Sequence, residues 1–264
     1  MSRVTLFLRS FLFALLVLLA TMIWVWVCLL AAPLPYNQRY YVTGRWNVFV
    51  IWLARVLCGI RYQVRGYENL PDGPAIVLSK HQSAWETIFY LPLMPWPLVY
   101  VFKREILYIP FFGWGMALLR MIPIDRSKGR DAFAAVVRHG RRRLADGQWI
   151  MMFPEGTRIP VGQKGKYKAG GARLSVETGA PVVPVAVNSG ECWPKTSFIK
   201  KPGLITVSIG KPISPDGMDP AELLQKVENW IESEMRVISP HVYADGAARA
   251  NRGERSNHPE PANR

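Results

Sequence analysis

A histidine and a carboxylate five residues apart, His81 and Glu86, form the pattern in this chain that could most directly do chemistry. A histidine oriented by a carboxylate is a common general base near neutral pH. On a continuous helix, five residues turn through about 500°, so the two side chains would point roughly 140° apart. The spacing therefore predicts that His81 lies in a turn before a helix that starts near Ser83, with Glu86 reaching back from the first turn.

Three loops carry polar side chains of a related kind, and each follows an apolar segment typical of a buried strand. Functional loops of α/β proteins follow strand ends in this way. A base on one loop and an arginine on each of the other two would supply a general base and a clamp for a phosphate group. The loops are His81–Glu86 after residues 75–79, Asp125 and Arg126 after residues 121–124, and Glu155–Arg158 after residues 149–153.

Other active-site chemistries lack their motifs in this chain. There is no G-x-S-x-G elbow for a serine nucleophile. His139, His241 and His258 do not fall at metal-ligand spacings, so no metal site is expected. No glycine-rich loop ends in Lys-Ser or Lys-Thr, the usual sign of phosphoryl transfer from a nucleotide. We therefore expect an enzyme without a metal or a cofactor.

The N-terminal region is apolar enough to enter a membrane. Residues 11–32 are 22 positions without a charge, which is long enough for a helix to cross a hydrocarbon layer of about 30 Å. A signal peptide is the alternative, although its apolar part would be only about 7–15 residues long. Arginines flank this segment on both sides, and that symmetry favours a hairpin inserted in one leaflet.

A second apolar segment, residues 46–60, is shorter and contains Arg55. It is too short to span a bilayer comfortably. It could form an interfacial helix, the second arm of a re-entrant hairpin, or a helix that covers the soluble domain.

The charge of the chain is large and unevenly placed. The formal net charge is +14, and all of the excess lies in the first 170 residues. This distribution indicates an anionic lipid, a phosphate-bearing substrate or an acidic protein as partner. Nucleic acid is not expected, because no zinc-ligand pattern, RNA-binding signature or basic zipper is present. Cys28, Cys58 and Cys192 are scattered and suggest no disulfide framework.

The order of apolar segments predicts an α/β fold. Strand and helix patterns alternate between residues 61 and 240, which favours a mixed, largely parallel sheet flanked by helices. We expect three regions: an N-terminal membrane anchor of one or two helices at 1–60, a catalytic domain at 61–240, and a disordered polar tail at 241–264.

In their order along the chain, several motifs resemble those of the glycerophospholipid acyltransferase family, most closely its bacterial members that make phosphatidic acid. The resemblance covers residues 60–215. The family pattern usually has an aspartate where this chain has Glu86, whose extra methylene still allows it to hold an imidazole. The motifs are His81–Glu86, residues 103–107 with 110–113, Ile124–Arg126, Phe153–Arg158 and Val183–Val185.

The resemblance implies a reaction and assigns two catalytic residues. His81 would remove the proton from the sn-2 hydroxyl of lysophosphatidic acid, while Glu86 fixes the imidazole tautomer. The oxygen would then attack the thioester carbonyl of acyl-ACP or acyl-CoA, with no acyl-enzyme. Another acceptor, such as glycerol 3-phosphate, another lysophospholipid or an aminolipid, remains open, as does a non-catalytic protein that binds anionic lipid.

The resemblance also implies a set of substrate-binding residues. Arg126 and Arg158 would bind the phosphate, and Lys103 is a further candidate for the phosphate or the oxyanion. Glu155, Gly156 and Thr157 would shape the acceptor pocket. The resemblance further implies that the protein contacts membrane lipid. Its catalytic domain would lie on the cytoplasmic face of the bacterial inner membrane.

Overall fold

The computed structural model of the protein describes residues 2–109, 112–125 and 129–243. Helices and strands alternate after two N-terminal helices. The helices are α1 Arg3–Leu30, α2 Tyr36–Cys58, α3 Trp85–Leu93, α4 Phe112–Leu118, α5 Gly129–Ala145, α6 Gly170–Thr178 and α7 Pro220–Ile238. The strands are β1 Ile60–Arg65, β2 Ile76–Ser79, β3 Leu98–Lys103, β4 Ile122–Ile124, β5 Trp149–Met152, β6 Val182–Val187 and β7 Gly203–Ile209.

In the described part of the chain, the strands form one seven-stranded sheet in the order β1-β7-β6-β2-β5-β3-β4. Every neighbouring pair is parallel except β6 and β7. The predicted mixed, largely parallel sheet is therefore confirmed. Its central strands β2 and β6 are buried along their whole length, which explains why they are continuous apolar runs rather than alternating ones.

Helices cover the sheet in two groups. Helices α5, α6 and α7 lie side by side and contact β4, β5, β2 and β6, whereas α2 contacts α3 and β1. Each helix contributes an apolar stripe, as Leu223, Val227 and Ile231 do along α7 at spacings of four residues. The sheet between these groups holds the hydrophobic core.

Helix α2 is longer than the apolar segment predicted at 46–60, and it is part of the core. It begins after Pro35 and ends at Gly59, whose φ of 70° is the left-handed conformation common after a helix. The hydroxyl of Tyr40 accepts from the amide of Leu98 at 2.9 Å and donates to the carbonyl of Leu91 at 3.3 Å. The helix thus completes the hydrogen bonding of β3 and α3.

Helix α1 also starts earlier than its apolar run. Ser2 caps it by accepting from the amide of Thr5 at 3.2 Å. Within the described residues, α1 is the one helix long and apolar enough to cross a membrane. Most of its surface is exposed, including Leu12, Leu19 and Ile23.

Both ends of α1 lie against the rest of the protein. Near its start, the ring of Phe13 packs edge-on against Trp193 at 5.2 Å, and the amide of Lys200 donates to Ser10 Oγ at 2.9 Å. Just after its end, Ala31 is buried and the hydroxyl of Tyr36 donates to the carbonyl of Leu119 at 3.4 Å. The helix therefore runs along the domain rather than away from it.

The predicted tail is described only at its start. Residues 241–243 lie in a helical turn in which His241 Nε2 is 3.0 Å from Glu191 Oε2. Residues 244–264 lie outside the described residues.

The sheet order decides where the polar loops meet. Strands β2, β5, β3 and β4 are consecutive and parallel, so their carboxyl ends lie at one edge of the sheet. That edge carries the loops that start after Ser79, Met152 and Ile124. The three loops selected from the sequence therefore start on the same side of the molecule.

Candidate active site

The imidazole of His81 and the carboxylate of Glu86 are in contact, as their spacing predicts. His81 Nδ1 lies 2.9 Å from Glu86 Oε1. His81 precedes α3, and Glu86 is in the first turn of that helix. Ser83 lies before the helix, and its Oγ accepts from the amide of Trp85 at 2.8 Å. This short polar turn lets two residues five positions apart face each other.

Glu86 is wholly buried but fully hydrogen-bonded. Its Oε1 accepts from the amides of Gln82 and Ser83, each at 2.7 Å, in addition to His81. Its Oε2 accepts from Ser189 Oγ at 2.5 Å. The positive end of the α3 dipole also favours a negative charge at this position.

These contacts keep Glu86 ionised. Burial alone would raise the pKa of its carboxyl, but the hydrogen bonds from His81, Ser189 and the Ser83 amide outweigh it and hold that pKa below its ordinary value. An ionised carboxylate can only accept, so His81 Nδ1 carries the hydrogen. The lone pair of the neutral ring is then on Nε2.

The second ring nitrogen of His81 is available to a ligand. Within the described residues, Nε2 has no hydrogen-bond partner, and 14% of the side chain is exposed. One face of the imidazole is stacked on Phe153, with ring centroids 3.9 Å apart and planes 16° apart. Phe153 belongs to the loop after β5, so that loop holds the base from the side.

Ser189 is a site residue that sequence analysis did not select. It follows β6, the strand next to β2, and its hydroxyl reaches Glu86 from 103 positions away in the chain. Gly190 adds a second contact, since its amide donates to Gln82 Oε1 at 3.2 Å. A serine after an apolar strand is too common to be singled out, and the available signal was its position after the apolar residues of Val182–Val187 in a largely parallel sheet.

The loop that follows Phe153 comes close to His81 through its backbone. The amide of Ile159 donates to the carbonyl of His81 at 2.8 Å. Arg158, the preceding residue, is half-buried, and its guanidinium forms no ion pair with a carboxylate in the described residues. Lys195 donates to the carbonyl of Arg158 at 3.0 Å. The backbone of Arg158 is thus directly next to the amide that binds the His81 carbonyl.

The three residues before Arg158 are placed differently from one another. Thr157 is exposed and Gly156 is half-buried, and the φ of 68° at Gly156 is a left-handed conformation that favours glycine. A Cβ at Gly156 would lie 2.8 Å from Lys168 Nζ. Glu155 is buried, with its oxygens accepting from Lys80 Nζ and the His81 amide. Its side chain therefore points into the protein, towards Lys80.

Of the remaining predicted residues, Lys103 lies at the same sheet edge. Lys103 ends β3, its side chain is 55% exposed, and its Nζ is 3.1 Å from Glu105 Oε1. Arg126, together with positions 110 and 111 of the second motif, lies outside the described residues. Its neighbour Asp125 accepts from Arg104 Nη1 at 3.3 Å. The structure therefore brings His81, Glu86 and the 153–159 loop into contact and places Lys103 at the end of a neighbouring strand.

This arrangement can abstract a proton beside a phosphate. His81 Nε2 is a neutral base whose protonated form Glu86 would stabilise. Arg158, on the adjoining loop, carries a guanidinium, a group that can bind phosphate through two hydrogen bonds. The site thus suits a hydroxyl group carried on a phosphorylated molecule.

Comparisons with known proteins point to acyltransferases. The family model for acyltransferases matches residues 61–188. The 1-acyl-sn-glycerol-3-phosphate acyltransferase of Pseudomonas aeruginosa is 46% identical over 259 residues, which cover 96% of each chain. The mouse enzyme named 1-acyl-sn-glycerol-3-phosphate acyltransferase alpha is 29% identical over 196 residues, which cover 73% of this chain and 68% of the mouse protein.

A solved structure has the same fold. The crystal structure of the 1-acyl-sn-glycerophosphate (LPA) acyltransferase PlsC from Thermotoga maritima aligns with a TM-score of 0.73. The alignment covers 88% of this chain and 97% of that one, at 24% sequence identity. By its identity to the Pseudomonas aeruginosa protein over nearly the whole length of both, this chain belongs to the acyltransferase family that includes the bacterial 1-acyl-sn-glycerol-3-phosphate acyltransferases.

Proposed function

We propose that this protein transfers an acyl group from a thioester to the sn-2 hydroxyl of lysophosphatidic acid and so makes phosphatidic acid. The observation that carries the proposal is the base: ionised Glu86 holds Nδ1 of His81, and Nε2 is open to a ligand. The acceptor is the one for which the similar protein of Pseudomonas aeruginosa is named.

In the proposed reaction, His81 Nε2 takes the proton of the sn-2 hydroxyl while the oxygen attacks the thioester carbonyl. A new C–O bond forms, the C–S bond breaks, and the imidazolium returns the proton to the departing thiolate. Glu86 stabilises the imidazolium between these two steps. No covalent acyl-enzyme is required, and general acid–base catalysis of this kind contributes about 10²–10⁴-fold.

Arg158 is the first of the proposed phosphate ligands. Its backbone is held on one side by Lys195 and lies next to the amide that binds the His81 carbonyl. A phosphate bound there would place the glycerol hydroxyl of the same molecule within reach of His81. Lys103 and Arg126 are proposed as further cations for the phosphate or for the oxyanion, and Gly156 and Thr157 as the backbone that approaches it.

The acyl donor is proposed to be acyl-ACP or acyl-CoA. Both present a thioester on a strongly anionic carrier, and the formal net charge of +14 favours their approach. The excess of basic residues lies in the part of the chain that also contains the site.

We further propose that α1 and α2 lie together in one leaflet on the cytoplasmic side of the bacterial inner membrane. Helix α1 is about 42 Å long at 1.5 Å per residue, and the domain contacts it near its start and just after its end. A helix that crossed the bilayer would carry one of those ends about 30 Å from the domain. An orientation along the membrane surface instead immerses the exposed apolar side of α1 and keeps both contacts.

The His81→Ala variant should lose the acyl transfer while remaining in the membrane. Removal of the base is expected to lower kcat by about 10²–10⁴-fold. The measurement is transfer of radiolabelled acyl groups from acyl-CoA and acyl-ACP to lysophosphatidic acid by the purified full-length protein. His139→Ala, on α5, is the matched control with full activity. Undiminished transfer by His81→Ala would rule out the mechanism.

The Glu86→Asp variant should also lose activity, although aspartate is the usual residue of the family at this position. The shorter side chain would withdraw the carboxylate by about 1.5 Å from four hydrogen-bond donors placed for glutamate. We expect kcat to fall at least about tenfold with little change in KM. Glu177→Asp, an exposed residue of α6, is the control. Full activity of Glu86→Asp would show that the surrounding turn moves to close the gap.

The Arg158→Ala variant should raise the KM for lysophosphatidic acid with a smaller effect on kcat. Hydrogen bonds to a charged group contribute roughly 1.5–3 kcal/mol, which corresponds to about a 10–100-fold change in KM. The same variant should not differ from the unaltered protein with a monoacylglycerol, which lacks the phosphate. Arg138→Ala, on the exposed side of α5, serves as the control. An unchanged KM for the phosphorylated acceptor would contradict the assigned role.

The orientation of α1 can be measured by labelling. In a variant without the native cysteines, Ser2→Cys and Pro33→Cys place single thiols before and after α1. We expect a membrane-impermeant maleimide to label both from the outside of sealed inside-out inner-membrane vesicles, because both positions then face the cytoplasm. Labelling of only one of the two positions would show that α1 crosses the bilayer.

A further inference from the structure

A buried lysine lies directly before the catalytic histidine. The side chain of Lys80 has 0% exposure, and its ammonium group has three acceptors. Its Nζ is 2.8 Å from Glu155 Oε1, 2.8 Å from Glu232 Oε1 and 3.2 Å from the carbonyl of Gln163. Each N–H of the ammonium therefore has a partner.

Glu155 connects this lysine to the backbone of the catalytic histidine. Its Oε1 accepts from Lys80 and from the amide of Gly165 at 3.2 Å. Its Oε2 accepts from the amide of His81 at 3.0 Å. Both oxygens thus accept from donors of the protein itself, and the side chain has 0% exposure, so the carboxylate is not open to a substrate.

The far end of the cluster is on the C-terminal helix. Glu232 belongs to α7, and its Oε1 accepts from Lys80 and from the hydroxyl of Tyr167 at 2.8 Å. Burial, followed by the nearby charge of Glu232, raises the pKa of Tyr167 far above its ordinary value, so its hydroxyl remains a donor. The cluster therefore joins α7 to the residue that precedes the base.

Burial of a charged cluster of this kind costs free energy. One ammonium and two carboxylates leave an excess negative charge inside the protein, and desolvation costs several kcal/mol per ion before their attraction compensates. Replacing buried ions of this kind with well-packed apolar residues is often neutral or stabilising for a protein. The cluster is therefore better explained by the geometry that it enforces than by stability alone.

That geometry is the position of the His81 peptide. The amide of His81 is bound by Glu155 and its carbonyl by the amide of Ile159, so both of its backbone groups are attached to the loop that carries Arg158. The imidazole of the same residue stacks on Phe153, in the same loop. Together these contacts fix the position of the base relative to this loop.

We propose that Glu155 is a positioning residue for His81, held in register by Lys80 and by Glu232 of α7, and not a ligand of the acceptor. The inference rests on the proposed acyl transfer and assigns a purpose to the buried charges behind its base. It makes α7 part of the support of the active site, although α7 contributes no group to the reaction.

The Glu155→Gln variant tests the proposal sharply. Each carboxylate oxygen accepts from a donor, so the amide NH₂ of glutamine must face either Lys80 or the amide of His81 and break that contact. We expect kcat for lysophosphatidic acid to fall at least about 30-fold while KM stays within about threefold, as expected for loss of an interaction needed in the transition state alone. Glu228→Gln, on α7 and outside the cluster, is the matched control with unchanged kinetics.

The separate effects of the variant on kcat and on KM also distinguish this role from the alternatives. A residue that lines the acceptor pocket would raise KM for lysophosphatidic acid, and that result would overturn the proposal. If Glu155 had a merely structural role, Glu155→Gln would lower kcat by the same factor with or without a second substitution at the site. In a protein that already carries Glu86→Gln, we instead expect Glu155→Gln to lower kcat by less than about a third of the factor seen in the unaltered protein. The reason is that both changes act through His81.

A second variant keeps the proposal testable if Glu155→Gln does not fold. Glu232→Gln keeps both hydrogen bonds through its remaining oxygen and removes only the charge. We expect a fall in kcat of about two- to fivefold with constant KM. An unchanged kcat would overturn the inference. Absence of any transfer to lysophosphatidic acid by the unaltered protein would instead remove the proposed function, and this inference with it.

Discussion

The buried negative charge of Glu86 is the constraint on which the active-site end of the sheet depends. A carboxylate with no exposure is stable only if its oxygens are fully hydrogen-bonded. The donors come from three places: the His81 ring, the backbone of the turn before α3, and Ser189 after β6. They can converge only because β2 and β6 are adjacent and parallel. The geometry of the base therefore depends on the order of the strands in the sheet.

Several contacts at the same end of the sheet involve backbone groups. The amide and the carbonyl of His81 are both bound by the loop after β5, and the amide of Gly190 is bound by the side chain of Gln82. The contact between the Ile159 amide and the His81 carbonyl uses backbone groups alone, so it tolerates a change of either side chain. The other two contacts depend on the side chains of Glu155 and Gln82.

Much of this arrangement was predictable from the residues, and the part that was not has a physical reason. The His81 to Glu86 spacing is local, so helix geometry alone placed both side chains. The apolar runs were long and uniform enough to locate the strands. The direction of the Glu155 side chain was not predictable, because a motif specifies a residue but not whether it faces solvent or a buried lysine. The contact from Ser189 depends on strand order, which local patterns do not encode.

Helix α2 shows how closely the N-terminal region and the catalytic domain depend on each other. The hydroxyl of Tyr40 is the acceptor for the first amide of β3, and Val50 and Ala54 of the same helix are wholly buried. Cleavage between residues 59 and 60 would therefore not release a soluble enzyme. It would uncover an apolar face and leave a strand next to the active site short of a hydrogen bond, because α2 is part of the folded catalytic domain.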